Sequence, residues 1–162
     1  MRVRDVMVGT PASCRWDANA AAAVEILWNR NCGILPVVNS GEKVIGVVTD
    51  RDLCIAMGTR NQLPGEIMVG EIASDKVFSC QPDDDIHMAL ATMAKEKVRR
   101  LPVINAAGEL QGILSMDDVV YHAEASSSRQ QTGLAYDDVV KTLKLLYGPQ
   151  LLAVTRTKVK AA

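Results

Sequence analysis

The segment GVVTDRDL at Gly46–Leu53 returns as GILSMDDV at Gly112–Val119, 66 positions later (112 − 46). With that offset held and the chain read backwards, Pro36 falls on Pro102, Val37 on Val103 and Cys14 on Cys80. Asp17 falls on Asp83, Val6 on Ile72 and Asp5 on Glu71, and no gap is needed. One local fold must therefore be built twice. Solenoids need at least three repeats, so two copies point to a pair related by a pseudo-twofold axis.

Each copy predicts the same order of elements. An apolar lead-in with turn residues (VRDVM, VGEIA) precedes a helix that Asp17 or Asp83 is placed to cap. Ala20, Ala23, Val24 and Leu27 share one face of the first helix. Ile86, Ala89, Leu90, Met93 and Ala94 share one face of its counterpart. A short buried strand follows (ILPVVN, LPVIN), then a turn with Gly41 or Gly108 and a second strand (KVIGVVT, LQGILS). A second helix starts at the aspartate motif and, in the first copy, is expected to stop at Gly58. The fold class is therefore α/β (α+β): two β-α-β-β-α repeats packed sheet to sheet with pseudo-twofold symmetry. One such unit has too little core to stand alone. The expected divisions are repeat one over 1–62, repeat two over 63–124, a polar linker over 125–133, and a C-terminal helix with a basic tail over 134–162. In that last part Tyr136, Val139, Val140, Leu143, Leu146 and Tyr147 form a helical stripe that Gly148–Pro149 should end.

Composition narrows the function. The chain is 48% hydrophobic but only 4% aromatic, so its core is aliphatic. Net charge is −1, which gives no general attraction to nucleic acid or anionic membrane. The tail from Leu134 carries five cations and two aspartates, hence +3, leaving −4 for the rest (−1 − 3). That patch lacks interleaved aromatics, so nucleic acid is not an expected partner. No apolar run approaches a membrane span and no signal core follows the N-terminus, so no membrane role and a cytoplasmic location are expected. Four cysteines without C-x-x-C spacing read as small buried apolar residues. No P-loop, metal-ligand cluster or paired base and nucleophile is present in the sequence, so an enzyme is not expected. His87 and His122 lack metal-ligand neighbours, and Asp83–Asp85 suit a helix dipole better than Mg²⁺.

The two motif stretches, GILPVVNSGEKVIGVVTDRDL and RRLPVINAAGELQGILSMDDV, resemble a tandem pair of cystathionine-β-synthase (CBS) domains, a Bateman module. The resemblance covers roughly residues 1–123. It implies adenine-containing ligands in two clefts between the copies, with no cofactor required. AMP, ADP and ATP are the first ligand classes, and S-adenosylmethionine or NAD(H) the alternatives. It implies that Asp118 accepts from ribose hydroxyls and Ser115 contacts ribose or phosphate, with Asp52 and Thr49 in the same places in copy one. Ile113 and Val47 would flank the base. The Asp118 cleft would borrow Ala12, Cys32 and Gly33, and the Asp52 cleft would borrow Phe78, Val98 and Arg99. Arg100, then Arg99, would favour a phosphorylated ligand in the Asp118 cleft, because copy one has Gly33 and Ile34 in those positions. Arg51 would partly serve the Asp52 cleft, where a neutral or cationic adenosyl ligand also fits. A helix start supplies backbone N–H groups to an anion, and a carboxylate holds a diol by paired acceptance.

Two roles stay open for Asp52 and Asp118, since each could equally cap its helix. The expected function is a ligand-sensing regulatory module, paired as a homodimer through the helices after the aspartate motifs and signalling to an unidentified regulated protein. The alternative is a non-catalytic dimerisation or interaction scaffold with empty clefts.

Overall fold

A computed structural model of the chain describes residues 1–125 and 133–154, with side chains through residue 148. Copy one runs β1 (Cys14–Arg15), α1 (Ala20–Asn29), β2 (Ile34–Val38), β3 (Val44–Thr49) and α2 (Asp50–Thr59). Copy two runs α3 (Ile86–Glu96), β4 (Arg100–Ile104), β5 (Leu110–Ser115) and α4 (Met116–His122), followed by α5 (Tyr136–Val154). The counterpart of β1 has shrunk to a single parallel bridge, Cys80 to Val103, which matches Cys14 to Val37 in copy one. The lead-ins VRDVM and VGEIA hold 3₁₀ turns at Val3–Asp5 and Val69–Glu71 rather than strands.

The 66-residue offset survives in the hydrogen-bonded register. Ile34 faces Thr49 as Arg100 faces Ser115, and Val37 faces Gly46 as Val103 faces Gly112. Both hairpins shift register at the same place, between Val37 and Val38 and between Val103 and Ile104. The buried run of β2 and the alternating burial of β3 and β5 follow from which faces meet helices and which meet the other copy.

The two copies exchange their lead-ins. Val3 and Val6 are buried in the core of copy two, against Ile86, Met93 and Leu101. Val69, the equivalent of Val3, is buried in the core of copy one with Ile67, Ala20, Leu27 and Leu35, and Ile72, the equivalent of Val6, packs against it. The main chain follows the same rule. Val3 N–H donates to Asp84 O (3.0 Å) and Val69 N–H to Ala18 O (2.8 Å), while Ile86 N–H donates to Met1 O and Ala20 N–H to Ile67 O. Each buried aliphatic side chain contributes about 1.5–3 kcal/mol as an upper bound, so the exchange ties the copies together strongly.

Several local expectations are corrected. The caps of α1 and α3 are Asn19 and Asp85, not Asp17 and Asp83. Asn19 Oδ1 accepts from Ala22 N–H and Asp85 Oδ1 from His87 N–H, each at 2.9 Å. Asp17 lies too far before the first turn and pairs with Arg15 at 2.9 Å; Asp83 pairs with Arg2 and Arg4. α2 runs past Gly58 to Thr59, because Gly58 keeps an ordinary backbone and the left-handed residue comes later, at Asn61 (φ 50°). Val24 is partly exposed, whereas the other predicted face residues of α1 and α3 are buried.

α5 continues through Gly148–Pro149 instead of stopping there. Proline lacks the N–H that would bond the carbonyl four residues back, at Leu145. That carbonyl accepts instead from the Lys97 amine, so the helix passes the proline with its polar group satisfied. Leu134, Val139 and Leu146 bury themselves in the copy-two core, chiefly against α3. Of the predicted stripe, Tyr136, Val140 and Tyr147 stay exposed. The linker expected over 125–133 lies mostly outside the described residues, as does the basic end beyond Val154. No helix among the described residues is long and apolar enough to cross a membrane.

Candidate functional site: two clefts of unequal charge

Both motifs place a hydroxyl where a strand becomes a helix. Thr49 is the N-cap of α2 and Ser115 the N-cap of α4, and each forms a reciprocal box with the aspartate three residues on. Asp52 N–H donates to Thr49 Oγ1 (3.2 Å), and Asp52 Oδ2 accepts from Thr49 N–H (3.0 Å) and Oγ1–H (2.6 Å). In copy two Asp118 N–H donates to Ser115 Oγ (3.2 Å), and Asp118 Oδ2 accepts at 2.8 and 2.5 Å. The capping role is therefore real, and it occupies one oxygen of each carboxylate. Among the described residues no partner engages Asp52 Oδ1 or Asp118 Oδ1, so capping and diol recognition do not exclude each other.

The exchanged lead-ins wall the clefts. Val8 pairs with Ile113 through bonds of 2.9 and 3.1 Å, and Ser74 pairs with Val47 through bonds of 2.9 and 3.0 Å. Glycine is required beneath each crossing. A Cβ on Gly46 would lie 2.9 Å from Ser74 O, and one on Gly112 would lie 2.8 Å from Val8 O. After each crossing the chain continues beside the opposite copy's motif, so Thr10, Pro11 and Ala12 line one cleft with Ser115, and Lys76 and Phe78 line the other with Thr49.

The first cleft, about 350 Å³, brings Ala12, Cys32, Ile113, Ser115, Asp118 and Arg100 together, as expected. The second, about 420 Å³, gathers Val47, Thr49, Phe78, Val98, Arg99 and Arg100. Both volumes suit a small-molecule site. Gly33 lines the second cleft rather than the first, and Arg99 lines the second alone. Asp52 does not line its cleft; Thr49, Asp50 and Arg51 do. Arg100 lines both, and its guanidinium lies over Gly33, where an added Cβ would meet Nη1 at 3.4 Å.

Charge separates the two clefts. The second is lined by Arg51, Lys76, Lys97, Arg99 and Arg100 against a single carboxylate, Asp50. The first balances Arg30 and Arg100 against Asp117 and Asp118. The difference arises at equivalent positions: Lys76 replaces Thr10, Lys97 replaces Asn31, Arg51 replaces Asp117 and Arg99 replaces Gly33. The sequence reading placed Arg100 and then Arg99 with Asp118; Arg100 lines that cleft, but the positive charge is concentrated in the other. Lys76 and Lys97 escaped the sequence reading, although the 66-residue offset applied to Thr10 and Asn31 leads to both. The Lys76 amine sits 4.7 Å from the centre of the Phe78 ring, so cation and aromatic face share one wall.

Other candidate chemistry is otherwise engaged. Asp84 accepts from Gln81 N–H (2.7 Å), Asp83 pairs with arginines and Asp85 caps α3, so the three acids do not converge. Among the described residues no group of three or more metal-ligating side chains occurs. His122 Nδ1 lies 2.8 Å from Asp118 O, a local helix contact. Burial pushes the Cys32 thiol up, a shift opposed first by a backbone hydrogen bond from Ile34 and then by the Arg100 and Arg30 charges.

A family model for the CBS domain matches residues 3–58 and 69–124. The uncharacterized protein MK0525 of Methanopyrus kandleri is 31% identical over 120 residues, covering 72% of this chain; the chain spans just over half, 57%, of that relative. The crystal structure of CBSX2 in complex with AMP is 26% identical, with a TM-score of 0.65 over 74% of this chain and 93% of that one. The domain pair of MJ0100, solved with 5′-methylthioadenosine and S-adenosyl-L-methionine, shares the fold at 21% identity and a TM-score of 0.68, covering 75% and 94%. The doubled motif, the mirrored registers and two family matches over more than half its length agree: the chain belongs to the CBS domain family.

Proposed function

We propose that the chain is a regulatory module that senses two kinds of adenosine compound, one in each cleft, without catalysing a reaction. The observation that carries this reading is the unequal charge of two otherwise equivalent clefts, one strongly positive and one balanced. Five cations against one carboxylate suit a phosphorylated ligand such as AMP, ADP or ATP. Two cations against two carboxylates suit a neutral or cationic adenosyl compound such as 5′-methylthioadenosine or S-adenosylmethionine, with Asp118 Oδ1 accepting from the ribose hydroxyls. The ligands named for CBSX2 and MJ0100 support the two classes. Because each cleft is walled by both copies, a bound ligand favours the arrangement in which they sit closest, and a partner protein reads that shift in population. Trp28 on α1 and Tyr121 on α4, 84% and 85% exposed, are large side chains of the kind that pairing with a second copy would cover.

Calorimetry with AMP, ATP, NADH, S-adenosylmethionine and 5′-methylthioadenosine tests the assignment. Arg51→Asp should weaken AMP at least about tenfold, roughly 1.4 kcal/mol, and leave the adenosyl compounds nearly unchanged. Asp118→Ala should do the opposite. Equal losses of one ligand in both variants would refute the division of labour. Failure of the unaltered chain to bind any of them would favour the scaffold reading, in which the capping boxes alone explain the motifs.

A further inference from the structure

Two of the five cations in the second cleft are held from behind by α5. The Lys97 amine donates to Leu145 O, the carbonyl that Pro149 leaves without a main-chain donor. Arg99 Nη1 lies 3.4 Å from the Tyr147 hydroxyl. Lys97 is itself in the left-handed conformation (φ 60°), at the C-cap of α3, and Arg99 stands two residues on, just before β4. α5 is docked against α3, with its Val139 and Leu146 buried in the copy-two core. One helix therefore reaches past the core and grips both side chains that project beside the cleft.

We infer that α5 is the positioning element of the anion-binding cleft, and that anion binding and α5 docking strengthen each other. This rests on the reading of the second cleft as a phosphate site. Each cation has donors to spare: an ammonium group has three and a guanidinium five, and α5 engages one of each. A phosphate thus completes the hydrogen bonding of side chains whose rotamers are already restricted. Fixing a long side chain in advance removes about 0.5–1.5 kcal/mol of ordering cost per residue at binding, a factor of about two to ten. By reciprocity the same factor stabilises α5 on the module when the anion is present. α5 thereby reports on the occupancy of a cleft formed by residues far from it in the chain.

The test uses the full chain with AMP as the anionic probe and 5′-methylthioadenosine as the uncharged one. Tyr147→Phe removes only the hydroxyl that meets Arg99. Pro149→Ala gives Leu145 O a competing main-chain donor and weakens its hold on Lys97, while leaving the helix as stable or more so. Both variants should lose about two- to tenfold in AMP affinity and keep their affinity for 5′-methylthioadenosine. In the unaltered chain AMP should slow amide exchange along residues 139–147. Unchanged AMP affinity in both variants overturns the coupling and leaves the ligand reading standing. No AMP binding by the unaltered chain at millimolar concentration overturns the ligand reading and the coupling with it.

Discussion

Replacing Gly46 with alanine tests whether the exchanged lead-ins hold the module together. The new Cβ would sit 2.9 Å from the Ser74 carbonyl oxygen, where ordinary contact begins at 3.4 Å, so something must yield by about half an ångström. The oxygen cannot retreat freely, since it accepts from Val47 N–H at 3.0 Å and lies in main chain whose own N–H is bonded to Val47 O at 2.9 Å. A retreat of that size stretches the first bond to about the 3.5 Å limit of useful hydrogen bonding. Overpacking of this kind costs about 1–3 kcal/mol, and loss of one such bond about 0.5–1.5 kcal/mol more. We therefore expect Gly46→Ala to destabilise the chain by about 2–4 kcal/mol, lowering the melting temperature by roughly 4–16 °C for a protein of this size. Gly58→Ala is the control. It lies in α2 with nothing within 4 Å of the added methyl, so it should stabilise by up to about 1 kcal/mol. Urea unfolding of both variants, compared at equal m-values, reads the difference. If Gly46→Ala stays within about 0.5 kcal/mol of the unaltered chain, the crossing is not a tight contact and the account of the motif glycines fails.

Two further outcomes follow from the caps and thiols. Asp85→Ala should destabilise by about 1 kcal/mol, and Asp17→Ala by less than about 0.5 kcal/mol, a contrast that thermal melts resolve. The His87 backbone N–H, and then its ring, hold the Asp85 carboxyl below its ordinary value of 3.8. Its folded-state value is depressed, so its contribution is complete well above that value and is lost as the pH falls through the lowered one; the gap between unaltered chain and Asp85→Ala should close on acidification and not at high pH. Burial pushes the thiols of Cys14 and Cys80 up to about 11 and about 12. At pH 8 a disulfide reagent should therefore modify exposed Cys54 first and Cys32 more slowly, with Cys14 and Cys80 reacting only on unfolding; four thiols reacting at one rate in the folded chain would contradict this.

Much of the architecture was legible because duplication supplies its own control. A feature found at one position and again 66 residues on is structural rather than accidental, and the register, the bulge and the helix faces all obey that spacing. The lead-in exchange was not legible. Val3 and Val6 have the same apolar spacing as Val69 and Ile72, so periodicity shows that they are buried but not in which copy's core. The caps failed for a related reason: Asp17 and Asn19, like Asp83 and Asp85, are chemically equivalent candidates two residues apart, and only the placement of the first turn decides between them. Pro149 misled because local propensity cannot see a lysine 52 positions earlier (149 − 97) that satisfies the carbonyl it frees. The ranking of the clefts turned on Lys76 and Lys97, which lie outside the motif and join it only through the fold.

The traded lead-ins bear on how the chain is born. Residues 1–8 leave the ribosome well before their partners, Pro82 to Ile86 and Ile113, which are made some 80 to 105 residues later. The first copy cannot complete its own interior either until Ile67 and Val69 emerge. The first lead-in therefore has nowhere to settle while most of the two copies is being made, and closure into the finished pair is a late, long-range event of the kind that slows folding. A gene cut between the copies would yield two fragments, each carrying a piece of the other's interior, which could recover the native arrangement only by meeting.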